Sequence, residues 1–308
     1  MKYCILAIII TFLACEKKDS DYVPTEYNTV QDTFLNNWTI RIAATPNTSY
    51  AKAEFRLWVP ESTENLNAIL VLTPGFNCTG ITLADDVSWQ QFAQQENIAL
   101  VGVTYEDNPN VSGYYYNSPE ETGGALIKAI DKICENNNLN NIVQLPLVLC
   151  GHSAGGCCSY NFTTYKPERV AGYINVKGGC TANINQIDIP GLLVSGEFDY
   201  PEILYDKAMR IRRDNGLVCY ALEPGAYHEW GNPDDIMRPF ISAVLKRRLD
   251  ANSQTNILIV PLTAESGYLG NLETYDTYPY NEYNEDILTA SWLISEEFAE
   301  AWVEFVSH

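Results

Sequence analysis

The chain has 308 residues, a formal net charge of −20 and 46% hydrophobic content, enough for one large α/β domain with an appendage or for two small domains. The carboxylate excess excludes nucleic acid and anionic membrane surfaces as electrostatic partners, because both require clustered Lys and Arg. The acid is uneven: residues 251–308 hold ten Asp and Glu and no Lys or Arg, half of the net charge.

Residues 1–15 carry Lys2, an apolar run over 4–13 and the small Ala14 ahead of Cys15. The run is too short to span a bilayer and has the size of a secretory signal. The ending Phe12-Leu13-Ala14-Cys15 resembles a bacterial lipoprotein signal, with Phe12 where Leu is usual. The resemblance implies that Cys15 is lipidated and becomes the first residue of the mature chain; a plain cleaved signal is the alternative. Both imply export, as an outer-membrane or cell-surface lipoprotein or otherwise as a periplasmic or secreted protein. Membrane contact would then run through the anchor alone. Residues 16–30 are polar, contain Pro24 and read as a tether.

From there the chain alternates. Residues 37–43 and 53–59 alternate apolar and polar side chains, as half-exposed antiparallel strands do. Residues 68–73 (AILVLT), 98–104, 145–150, 170–176, 191–195 and 217–222 are short apolar runs of the kind a sheet buries on both faces. Between them, helices are predicted over 88–95, 122–136, the stretch after 153 up to Pro167, 201–215 and 237–249. Pro239 is then placed in a first helical turn. Strands alternating with helices require crossovers and parallel pairing. The expectation is a doubly wound, mostly parallel sheet with helices on both faces, an α/β domain over 31–250. Residues 251–308 form an acidic, Tyr-rich extension that begins with NILIVP. It ends in a helix over 295–305 whose Phe298, Ala301, Trp302 and Phe305 face must be buried on that domain.

The motif Gly151-His152-Ser153-Ala154-Gly155 follows one of these buried strands without a spacer and opens a helix. This is the strand–turn–helix context of a G-x-S-x-G nucleophile elbow. With Gly and Ser each near roughly 7% of an average chain, the three fixed positions match by chance about 0.1 times in this length. A serine hydroxyl needs a base, and the base an orienting group. Of three histidines, His152 lies inside the elbow and reads as a packing residue, and His308 is terminal. His228 remains, in the loop between the last strand and the last helix.

With these residues in place, the order of elements over about residues 37–250 resembles the α/β-hydrolase family. The family order of nucleophile, acid and histidine implies Ser153, Asp199 and His228, with Glu197 the rival acid in Gly196-Glu197-Phe198-Asp199. It implies an oxyanion hole from the N–H groups of Ala154 and Phe76, the latter in Pro74-Gly75-Phe76, where Gly75 is expected to be required by the backbone. Many relatives carry His-Gly-x at that turn, and this chain has Pro-Gly-Phe. At a lower level the chain is similar to esterases of the dienelactone-hydrolase and feruloyl-esterase type. That implies a carboxylic ester substrate, such as an acetyl or feruloyl group on a polysaccharide, and no cofactor.

Residues 177–190 are too short for a cap domain, so the site is expected to be open, and Tyr114, Tyr115 and Tyr116 are candidates to line it. A lipase or peptidase of the same fold, or an inactive glycan-binding protein, are the alternatives. No H-E-x-x-H or dinucleotide loop is present, so no metal site is expected. Cys78 and Cys180 both follow strands, which raises a bridge between them near the site.

Overall fold

The computed structural model describes residues 31–180, 187–250 and 258–307. The proposed signal, the lipidation site Cys15 and the tether lie outside the described residues. Nine strands form one sheet: β1 Thr33–Asn36, β2 Thr39–Ile42, β3 Tyr50–Trp58, β4 Ala68–Thr73, β5 Ile98–Asp107, β6 Leu147–His152, β7 Val170–Val176, β8 Gly191–Gly196 and β9 Val218–Glu223. Their order is β1-β2-β3-β5-β4-β6-β7-β8-β9. Pairing is antiparallel from β1 to β5 and parallel from β5 to β9.

The apolar runs are buried on both faces because each feeds two cores. In β4, Ile69 and Val71 join one cluster, while Ala68, Leu70 and Leu72 join the other. On the first side pack α2 Pro119–Asn136, α3 Ala154–Tyr165 and α4 Glu202–Arg213; on the second, α1 Val87–Glu96 and α5 Asp234–Arg248. This is the α/β-hydrolase fold. The helix after β4 lies on one face and the helix after β6 on the other, so a crevice opens at the carboxyl ends of these adjacent strands. The serine elbow is there.

Several boundaries differ from expectation, among them the starts of two helices and of β3, and β1 is not among the expected strands. Helix α2 starts at Pro119, where proline fits the first helical position and Glu120 and Glu121 follow. Helix α5 begins at Asp234, a turn earlier than predicted, so Pro239 lies inside it. Asp234 and Asp235 open that first turn, and a missing N–H in the second turn has not stopped the helix.

The extension docks on the second face. It starts with a short pair, β10 Leu249–Asp250 with β11 Leu258–Ile259. A three-stranded sheet follows, β12 Tyr268–Gly270, β13 Thr277–Pro279 and β14 Ser291–Leu293, ordered β13-β12-β14, and then α6 Glu296–Ser307. Phe298, Trp302, Phe305 and Val306 are buried, whereas Ala301 is half-buried; Phe298 meets Phe240 of α5 at 5.3 Å between ring centroids. The outer edge of β9 is closed by side chains. Ser291 Oγ accepts from Tyr220 N–H (3.0 Å) and donates to Tyr220 C=O (2.8 Å), and Trp302 Nε1 donates to the same carbonyl at 2.8 Å. Arg212, fully buried, donates Nε to Ala290 C=O and Nη2 to Ile287 C=O, tying α4 to the extension.

Candidate active site

The elbow is tight because two glycines let backbones approach closer than any Cβ permits. A Cβ on Gly151 would stand 2.2 Å from the Gly155 carbonyl, and one on Gly155 would stand 2.1 Å from Thr73 O. Between them Ser153 takes φ 54°, ψ −118°, a strained region for a residue with a side chain, costing about 1–3 kcal/mol. Its N–H is held by Val176 O at 2.8 Å, and its C=O accepts from Cys157 N at 3.0 Å. The turn after β7 is braced by buried Asn175, whose Nδ2 donates to Gly178 O (3.0 Å) and whose Oδ1 accepts from Gly178 N (2.9 Å).

Three strand ends bring the functional groups together. Ser153 follows β6, Asp199 follows β8 and His228 follows β9. His228 Nε2 lies 2.9 Å from Ser153 Oγ, and its Nδ1 lies 2.8 Å from Asp199 Oδ2. The Asp199 side chain is only 12% exposed and that of His228 is 55% exposed, so the base faces solvent while its partner is shielded. Asp199 does not cap α4, since Tyr200 and Pro201 intervene before Glu202. Glu197 accepts instead from Gly225 N–H at 2.7 Å, pinning the start of the histidine loop.

A cavity of about 260 Å³ opens beside the serine, lined by Phe76, Tyr114, Tyr116, Ala154, Cys157 and Gly179, among others. Ala154 is the first residue of α3, so its N–H has no carbonyl one turn back within the helix. Gly75 corrects one expectation: its φ is not positive, and a Cβ there would sit at an ordinary 3.5 Å from His152 Nδ1. The three tyrosines divide. Tyr114 and Tyr116 line the cavity, whereas Tyr115 is buried in the core and stacks flat on Phe76 at 5.7 Å. Tyr115 therefore supports the wall from beneath and does not face the cavity. The Cys78–Cys180 bridge is not formed: Cys180 carries a free thiol, and Cys78 is disulfide-bonded elsewhere.

Two residues that sequence reasoning left out of the site hold the histidine loop. Lys177, at φ 56°, has no exposed side-chain surface and pairs with Glu223 Oε2 at 2.8 Å. It also donates to Glu229 C=O at 2.7 Å, while Glu223 Oε1 accepts the Asn232 N–H. Lys177 directly follows β7 and Glu223 ends β9, so one buried ion pair bridges these two strand ends and holds the loop just after His228, at Glu229 and Asn232. His152 adds a third hold, its Nε2 lying 2.8 Å from His228 O. A carbonyl only accepts, so Nε2 carries the proton. Burial, reinforced by the neighbouring His228, lowers the His152 pKa to about 4. Among the described residues no group of His, Cys, Asp and Glu is placed to hold a metal, and no helix is long and apolar enough to cross a membrane.

No protein-family model matches the chain, and neither does any curated protein. Solved structures do. FphF, a fluorophosphonate-binding serine hydrolase of Staphylococcus aureus in substrate-bound form, is 12% identical with a TM-score of 0.49, over 70% of this chain and 99% of that one. S-formylglutathione hydrolase FrmB of the same organism is 14% identical with a TM-score of 0.46, over 63% and 90%. A thermostable esterase is 18% identical with a TM-score of 0.44, over 57% of this chain and 51% of that one. What this site does is read from its own geometry.

Proposed function

We propose that the protein is a serine hydrolase that cleaves carboxylic esters through an acyl-enzyme. The observation that carries this reading is the relay Ser153 Oγ–His228 Nε2–Asp199 Oδ2, with contacts of 2.9 and 2.8 Å, on a strained elbow beside an open cavity. His228 Nε2 takes the proton as Ser153 Oγ attacks the ester carbonyl. Asp199 keeps the proton of His228 on Nδ1, so that Nε2 is free to accept. The N–H groups of Ala154 and Phe76 receive the oxyanion, worth about 3–4 kcal/mol for a single donor in known cases. Protonated His228 then returns its proton to the departing alcohol, and water, activated by the same imidazole, releases the acid. An intact relay of this kind favours an enzyme over a glycan-binding protein that merely keeps the fold.

The acyl group faces Phe76, Tyr114 and Tyr116, an aromatic wall that suits a planar acyl such as feruloyl; an acetyl group also fits the space. The proposed carrier is a polysaccharide. Turnover of p-nitrophenyl acetate by the wild type, lost in Ser153→Ala, tests the chemistry, and activity surviving the substitution sinks it. A panel of acyl esters with methyl ferulate and acetylated glycans ranks the acyl groups. Export with a lipid anchor at Cys15 is part of the proposal, supported by the signal-like residues 1–15. Radiolabelled palmitate should enter the wild type and not Cys15→Ala.

A further inference from the structure

Several large aromatic side chains stand exposed beside the triad. Phe198 and Tyr200 flank Asp199, Tyr227 precedes His228, and Trp230 follows it by two residues; all four are exposed, Tyr200 and Tyr227 most of all. The Phe198 and Tyr227 rings touch, their centroids 5.1 Å apart. Phe198 N–H donates to Ala226 C=O at 2.9 Å, joining the acid loop and the histidine loop into one surface. Trp230 packs edge-on against His152 at 5.7 Å. Large apolar groups gathered in one exposed place mark a binding surface.

The chemistry says which half of the substrate lies there. The acyl oxygen points to Phe76 and Ala154, and the acyl chain fills the cavity on that side. The leaving oxygen must then face His228 Nε2, which returns the proton. The alcohol therefore departs across the loops that carry His228 and Asp199. We infer that Phe198 and Tyr227 form an alcohol-side subsite that takes the ring of a neutral sugar.

Two features choose this occupant. Phe198 and Tyr227 meet at 45° with both rings exposed, a corner suited to a rigid ring carried on a longer chain. They are also interleaved with carboxylates: residues 196–206 and 223–237 hold eight Asp and Glu and no Lys or Arg. Glu197 and Glu229 are exposed and already oriented by the N–H groups of Gly225 and Tyr227. Fixed carboxylates repel an anionic alcohol and are costly to desolvate against lipid. Sugar hydroxyls donate to them in charge-assisted bonds, while the apolar face of the ring rests on the aromatic planes.

This inference rests on the ester-hydrolase reading, and its first test needs no turnover. Calorimetry with xylotetraose on Ser153→Ala should show binding, and adding Phe198→Ala and Tyr227→Ala should raise Kd by about tenfold or more. Unchanged affinity, or no binding by Ser153→Ala itself, overturns the subsite whatever the enzyme does with p-nitrophenyl acetate. In the active background, the ratio of kcat/KM for acetylated xylotetraose to that for ethyl acetate should fall about tenfold in Phe198→Ala/Tyr227→Ala. A ratio that does not move overturns it. So does a jump in turnover at an emulsified triglyceride surface that the double variant loses, which would give the face to lipid.

Discussion

Around Ser153 the backbone is forced into φ 54° and passes two glycines with less room than a methyl group needs. Residues 258–307 are held differently, by Trp292 and Trp302 packed almost without exposure and by buried Arg212 reaching their carbonyls. One region stores strain and the other supplies the buried surface that such strain requires from its surroundings. Function and stability are thus separated along the chain, and substitutions in the two regions should fail in different ways.

The sharpest break of that contrast is Ser153→Ala, expected to lower kcat for p-nitrophenyl acetate by about a million-fold while the thermal midpoint stays close to that of the wild type. Asp199→Asn should lower kcat by about ten-thousand-fold by disturbing the tautomer of His228; steady-state kinetics read both. Lys177→Met should fail in both ways at once. It leaves Glu223 buried and unpaired, at a cost of about 3–5 kcal/mol in urea unfolding, and lowers kcat as the histidine loop loosens. Lys177→Met/Glu223→Met should recover most of the stability and not the rate. Trp302→Ala should cost about 3–5 kcal/mol and leave kcat within about twofold, since its described contacts, with Tyr220 and Tyr275, include none of Ser153, Asp199 and His228. A large kcat loss there would abolish the contrast.

The smallest expected effect is a pH dependence. The folded protein holds His152 near 4, below its usual 6.5, so the unfolded chain takes up a proton that the folded one refuses. Its contribution to stability is full above pH 6.5 and is lost as pH falls from 6.5 towards 4. His152→Gln, whose amide can donate to the same His228 carbonyl, should lack that part of the decline in midpoints measured from pH 4.5 to 7.5.

The same contrast explains what could be read from the residues alone. Gly151, Ser153 and Gly155 are legible because one strained turn demands all three within five positions. His228 is legible because few histidines compete for its role, and Asp199 because its loop follows the strand before. The Lys177–Glu223 pair is not: its members are 46 positions apart and meet only because β7, β8 and β9 lie side by side. Tyr115 could not be sorted from Tyr114 and Tyr116, because a single 3-10 turn over Tyr115–Asn117 decides which ring points inward. Strands β12 to β14, three residues each, are too short to show a period. Arg212 reads as part of an exposed basic helix end until the extension covers it.

The closure of β9 has a consequence in time. Ser291 and Trp302 reach Tyr220 across 71 and 82 positions of chain. A chain that emerges amino end first completes the strand well before its fasteners arrive. Through that interval the rim of the sheet offers bare amide and carbonyl groups to any neighbouring chain. Many chains emerging close together would favour wrong pairing at that rim, and shedding residues 291–307 would make the exposure permanent.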